Sequence, residues 1–293
     1  MAGGPAPPPE AMRKGMSGKV AAFVVVVVAI VAFVAGLGLG AVIYAPPRLV
    51  LTLVNAHNLP FPPFEDYDDA LGTIVGFNVD IAQEIANATG RKLVLRNFVD
   101  FDVLLATVAT GGVDMAVASI TMSGSKGAAR NATLDFSDSY WRADQAALVA
   151  PGNFDFTCAN QGDCTPAEIA GSPDHVIGVQ LATTSEQWVD DNVAPLMTNP
   201  GQNIKRFGNV ATVIAGLRAG SLQIVIIDEP VARAYARPAA SGFKVAGLIP
   251  TGELYGIAVD DTDPQGLIPI INEVLRQLRA SGKYDLLVQK WFA

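Results

Sequence analysis

Leu222-Gln223-Ile224-Val225-Ile226-Ile227-Asp228-Glu229-Pro230 sets a run that is apolar but for Gln223 against an acidic residue and a proline. Leu222 to Ile227 reads as a buried strand, because a half-exposed strand would alternate apolar with polar residues. Asp228 then falls at the strand's C-terminal end, where α/β folds place their ligands. It equally stands where it would N-cap a helix opening at Glu229-Pro230. Spacing alone leaves both roles open.

Working outward, strand and helix patterns alternate. Val176 to Val179 is predicted as a strand, Ser185 to Asp191 as a helix, Ile204 to Phe207 as a strand and Val210 to Arg218 as a helix ending at Gly220. An equivalent series precedes it, with strands at Leu49–Val54, Leu93–Leu95 and Val113–Val117. Helices are predicted over Asp80–Thr89, stopped by Gly90, and over Asp102–Thr110. At the C-terminal end, Ile268, Ile271, Val274, Leu275 and Leu278 form the apolar face of a helix from Pro264 to Ala280, which Pro269 either kinks or delays. Two βαβ-rich units and a returning helix imply an α/β fold of two lobes sharing a cleft, the favoured place for a ligand.

The N-terminal region bears on location. Val20 to Ile43 contains only apolar residues and glycine, enough for the ~20 apolar residues that span a bilayer. Arg13, Lys14 and Lys19 precede it, placing residues 1–19 in the cytoplasm, a signal-anchor helix at 20–44, and the remainder outside the cell membrane. A cleaved signal peptide would have a shorter apolar core and a small-residue cleavage site, and Ile43-Tyr44-Ala45-Pro46-Pro47 is a poor one. Gly36-Leu37-Gly38-Leu39-Gly40 lies inside the span and reads as helix packing rather than a dinucleotide loop.

The net charge of −8 and the absence of any Lys/Arg cluster exclude nucleic acid as a partner. Cys158 and Cys164, six positions apart in a polar stretch, read outside the cell as a local disulfide. With only His57 and His175 available besides, they do not build a four-ligand metal site, so neither metal nor cofactor is expected. The same two histidines fall in different lobes and in no nucleophile motif, so no hydrolytic triad is read.

An ordered set of motifs resembles the family 3 extracellular solute-binding proteins, the polar amino-acid receptors of ABC importers. Asn58-Leu59-Pro60-Phe61-Pro62-Pro63-Phe64-Glu65, Gly76-Phe77-Asn78-Val79-Asp80-Ile81, Asp100-Phe101-Asp102 and Gly112-Val113-Asp114-Met115 come first. Ala118-Ser119-Ile120-Thr121, Asp135-Phe136-Ser137-Asp138-Ser139-Tyr140-Trp141, Ile177-Gly178-Val179-Gln180 with Thr183-Thr184-Ser185-Glu186, Ile226-Ile227-Asp228-Glu229-Pro230 and Lys290-Trp291-Phe292 follow in order. The resemblance runs from about Arg48 to Phe292 and implies a two-lobed periplasmic-binding protein type II fold. Lobe 1 would comprise 48–143 and 258–293, lobe 2 would comprise 146–252, and the crossings near Arg142–Gln145 and Tyr255–Val259 would form the hinge.

For the site, the resemblance implies Asp228 as partner of the ligand's ammonium. Ser119 and Thr121 from one lobe, Thr183 and Thr184 from the other, and a basic residue would hold the carboxylate. Lys126 and Arg130 both compete for that last position, four apart on one helical face, with the fork geometry of a guanidinium favouring Arg130. Phe61 and Phe101 would sandwich the side chain, with Trp141 a lesser candidate. Asn58 and Asn78 stand where members binding basic side chains tend to carry acids, which points to a polar, uncharged amino acid such as glutamine. Permease and ATPase would be separate chains, and no enzymatic activity is expected. The rivals on the same fold are a prephenate- or arogenate-type dehydratase and a receptor signalling through a membrane partner.

Overall fold

The computed structural model describes residues 52–159, 162–238 and 241–293; the expected tail and anchor at 1–44 lie outside the described residues. Among the described residues no helix is long and apolar enough to cross a membrane.

The strands are β1 (Thr52–His57), β2 (Asp66–Asp68), β3 (Thr73–Val75), β4 (Lys92–Asn97), β5 (Ala116–Thr121), β6 (Leu134–Phe136), β7 (Trp141–Val149), β8 (Ile177–Gln180), β9 (Ile204–Phe207), β10 (Ile224–Asp228) and β11 (Lys244–Asp260). β1 and β4 pair in parallel, and an isolated bridge from Asn55 to Met115 joins β1 to the segment leading into β5. The larger sheet runs β5-β11-β7-β10-β8-β9, with β6 also paired to β11. β8, β9 and β10 are parallel, while β7 and β11 are antiparallel to their neighbours. These two strands therefore run continuously through both halves of an α/β molecule of two lobes.

The helix Phe77–Thr89 buries Phe77, Ile81, Ala82, Ile85 and Ala86 at helical spacing and ends at Gly90 in the left-handed conformation. Gly76 opens it at φ 144°, and a Cβ there would stand 2.1 Å from the Phe64 carbonyl oxygen, so only glycine permits the approach. That approach brings Phe64 into a cluster with Phe77, Trp141, Tyr255 and Phe292. Burying each such ring contributes roughly 1.5–3 kcal/mol.

The C-terminal helix begins at Leu267 rather than Pro264. The Asp263 carboxylate accepts from the N–H groups of Leu267 and Ile268, and Pro269 then falls in the first turn, where a missing donor costs nothing. Val113–Val117 is likewise displaced, the strand occupying Ala116–Thr121. The helix predicted to Asp191 ends at Trp188 and continues as a wider π turn over Val189–Val193. Cys158 and Cys164 form a disulfide.

Candidate functional site

A cavity opens between the two halves. β5 ends at Thr121 on one wall and β10 ends at Asp228 on the other, as strand-end placement requires. Hydrogen bonds close the cleft: Gln180 Nε2 donates to Asn58 Oδ1 at 2.8 Å, Gln187 Nε2 to Ser125 Oγ at 2.8 Å, and Arg130 Nη2 to the Ala182 carbonyl at 2.9 Å.

Asp228 occupies the N-cap position of the helix Glu229–Ala236, yet its side chain makes no capping bond. The carboxylate turns into the cavity, where it accepts from Gln145 Nε2 and the Tyr255 hydroxyl. Burial pushes its carboxyl up to about 7; the Glu253 charge adds to this, while the Tyr255 and Gln145 hydrogen bonds and the Arg130 charge oppose it. Burial likewise pushes the Tyr255 hydroxyl well above its ordinary range, helped by the Asp228 and Glu253 charges.

Arg130 ends the short helix Gly124–Arg130 and is 7% exposed. Its Nη1 donates to the Thr121 carbonyl at 2.7 Å and its Nη2 to that of Ala182. The buried Nε has no protein partner, and Arg130 is among the residues that line the cavity. Burial lowers its pKa to about 10, with the Glu253 and Asp228 charges opposing, so the guanidinium remains charged at neutral pH. Gly127 sets this helix: a Cβ there would lie 2.2 Å from the Met122 backbone. Gly127→Ala is therefore expected to displace Arg130 and to weaken ligand binding about tenfold or more, measured by titration calorimetry. Unchanged affinity would show that the helix can shift without consequence.

Of the sequence-predicted residues, the fold brings Asn58, Phe61, Phe101, Ser119, Thr121, Arg130, Thr183, Thr184 and Asp228 to the cavity. Phe101 also lies 5.5 Å from the Arg130 guanidinium. Lys126 and Asn78 are not brought there. Lys126 is half-buried and does not line the cavity, although it stands one turn before Arg130 on the same helix. Asn78 is fully buried behind Ser119, its amide donating to Glu65 Oε2 and Ser119 Oγ and accepting from the Tyr140 hydroxyl. Trp141 packs instead in the aromatic cluster, stacked on Phe292 at 4.2 Å.

Thr183 also caps the helix Thr184–Trp188, accepting from the Glu186 N–H at 3.2 Å. Ser119 and Ala182 hold φ of 53° and 62°, a conformation that non-glycine residues adopt mainly where surrounding structure imposes it. Sequence reasoning did not single out Glu65, Gln145, Gln180, Ser185 or Glu253. Glu65, Gln180 and Ser185 line the cavity, while Gln145 and Glu253 are buried against Asp228 and Thr184. Glu65 is occupied by the Asn58 N–H, Asn78 and His57. The site thus offers both signs of charge in a closed, low-dielectric space, which suits a small zwitterion.

A family model for bacterial extracellular solute-binding proteins, family 3, matches residues 53–293. A protein described as a probable histidine-binding protein of Neisseria gonorrhoeae is 30% identical over 240 residues, 81% of this chain and 82% of its own. An ancestral arginine-binding protein bound to glutamine superimposes with a TM-score of 0.70 at 33% identity, over 82% of this chain and 97% of its own. An ancestral amino acid-binding protein, a precursor of cyclohexadienyl dehydratase, gives 0.68 at 29% identity, over 83% and 95%.

Proposed function

This chain belongs to the bacterial extracellular solute-binding proteins of family 3, and from that premise we propose that its cleft captures a free amino acid for the permease and ATPase subunits of an ABC importer. The observation that carries the reading is the pairing, in one closed cavity, of Arg130 with its unpartnered Nε and Asp228 turned away from its helix cap. Arg130 would take the ligand's carboxylate and Asp228 its ammonium. Phe61 and Phe101 would flank the side chain, and the amides of Asn58 and Gln180 favour a polar, uncharged one such as glutamine.

Closure would occur about β7 and β11. The register shift between Ile249 and Glu253 lies opposite Ala143–Gln145, which favours a second crossing there, ahead of Tyr255–Val259. The lobes, expected as 48–143 with 258–293 and as 146–252, would then gain residues 253–257 on the first of them. The apolar segment 20–44 would anchor the domain outside the membrane in a single pass.

The test is a thermal-shift screen of the full chain in detergent against the twenty L-amino acids and prephenate. A ligand that binds only the folded state raises the melting temperature. Stabilisation by one or a few amino acids supports the assignment, and silence from all of them overturns it. Asp228, an acid pushed up to about 7 inside a closed cleft, also favours a second reading as a dehydratase-type general acid. Turnover of prephenate would establish that reading instead.

The proton on Asp228 competes with the ligand's ammonium. Affinity is expected to fall as the pH drops below about 7, by up to tenfold per pH unit. In the empty protein the sign is reversed. A carboxyl raised from 3.8 stabilises the fold at low pH, and that contribution is lost as the pH rises through about 7. Calorimetry from about pH 8 to about pH 5 checks the first and urea midpoints check the second; Asp228→Asn should flatten both.

A further inference from the structure

Pro250-Thr251-Gly252 interrupts the pairing of β11 with β7. Gly252 turns there at φ 63°, and its N–H donates to Asp144 Oδ1 at 2.7 Å. The next residue, Glu253, is 7% exposed and lies between the two walls of the cleft. Its Oε2 accepts from Thr121 Oγ1 at 2.7 Å and from Thr184 Oγ1 at 2.7 Å. Its Oε1 accepts from Gln145 Nε2 at 2.9 Å and from Thr251 Oγ1 at 3.1 Å.

An ionised carboxylate can only accept, and a hydroxyl has one proton to give. Both threonines therefore spend that proton on Glu253 and keep only lone pairs for the cavity they line. Thr184 Oγ1 already receives a long contact from Gln145 Nε2 at 3.4 Å, consistent with an acceptor. An anion would be repelled by such oxygens, whereas an ammonium would be received by them together with Asp228.

We propose that Glu253 is a positioning residue that fixes the hydroxyls of Thr121 and Thr184, one from each lobe, as acceptors for the ligand's ammonium. This rests on the amino-acid reading of the cleft and reassigns the two threonines within it. The carboxylate is left to Arg130. Because one carboxylate oxygen holds both hydroxyls, the complete acceptor set exists only when the lobes are closed.

Glu253→Gln keeps the side chain's size but introduces an amide donor. The Gln145 and Thr251 donors hold the amide oxygen at the Oε1 place, so the NH2 faces Thr121 and Thr184 and turns their protons toward the cavity. The twenty L-amino acids are titrated into the wild-type chain. Those that bind are compared with their des-amino and α-carboxamide analogues, in wild type and Glu253→Gln. The expected result is a 10- to 100-fold loss of preference for the amine over the des-amino form, with the preference for the acid over its amide retained. Thr121→Val and Thr184→Val should add little in the Glu253→Gln background. An unchanged urea midpoint for the empty variant confirms that it is folded. Equal loss of both preferences would mean a general structural role and overturn the proposal. Unchanged amine preference would overturn it too, leaving the amino-acid reading intact. If no amino acid binds the wild type, that reading fails, and this proposal with it.

Discussion

Asp228→Ala is expected to weaken amino-acid binding by about 10²- to 10³-fold, the largest effect of any single change in the cleft. Removing one partner of a buried charged pair typically costs 3–5 kcal/mol, and each 1.4 kcal/mol is about tenfold in affinity. The loss is concentrated in the bound state, because the ligand's ammonium would lose the carboxylate that faces it in the cavity. In the empty protein the change has opposing parts. It strands the donors of Gln145 and Tyr255, which now serve Asp228, but it also removes a carboxylate that burial disfavours. Titration calorimetry paired with the urea midpoint separates these contributions. Near-native affinity in the alanine variant would dismiss Asp228 as the ammonium partner.

Arg130→Lys is expected to cost about 10²-fold in affinity even though the charge is kept. The guanidinium braces both sides of the closed cleft through the Thr121 and Ala182 carbonyls and has Nε left over. A lysine ammonium is a point charge that cannot hold two carbonyls and present a planar fork together. Charged hydrogen bonds contribute about 1.5–3 kcal/mol each, so losing one or two accounts for the magnitude. Lys126→Ala, outside the lining of the cavity, should change affinity by less than about twofold, as substitutions away from a site generally do. The reverse ranking in calorimetry would move the carboxylate partner to Lys126.

These two positions also mark what was legible in the sequence. The place of Asp228 at a strand end could be found because it is a local feature: an apolar run stops, and an acid and a proline follow. Its role toward a ligand came only from the family resemblance. Arg130 and Lys126 could not be separated by spacing, since both fit one helical face. Met122 and Gly127 decide it by backbone contact, which turns Arg130 inward. Asn58 and Asn78 looked equivalent in sequence, but Ser119 and Tyr140 cover Asn78 while Asn58 reaches the cavity. Glu253 and Gln145 gave no local signal. Each sits on a strand whose composition, with Ala143, Ala146 and Ala147 in β7 and Pro250 and Gly252 in β11, is weak for β structure. Partners on both sides make them strands, and those partners are distant in the chain.

The alternation of strands and helices, the membrane-length apolar segment, the disulfide spacing and the ordered motifs of the family are all readable without coordinates. Each depends on residues close together in the chain, through helical or strand periodicity, turn chemistry or short spacing. Only the tertiary structure decided which basic residue enters the cleft, which asparagine lines it, and that one glutamate joins threonines from both lobes. The asparagines are sorted by contacts across 41 and 62 positions, and Glu253 meets Thr121 across 132. Long-range packing sets such distances, and no local pattern encodes them.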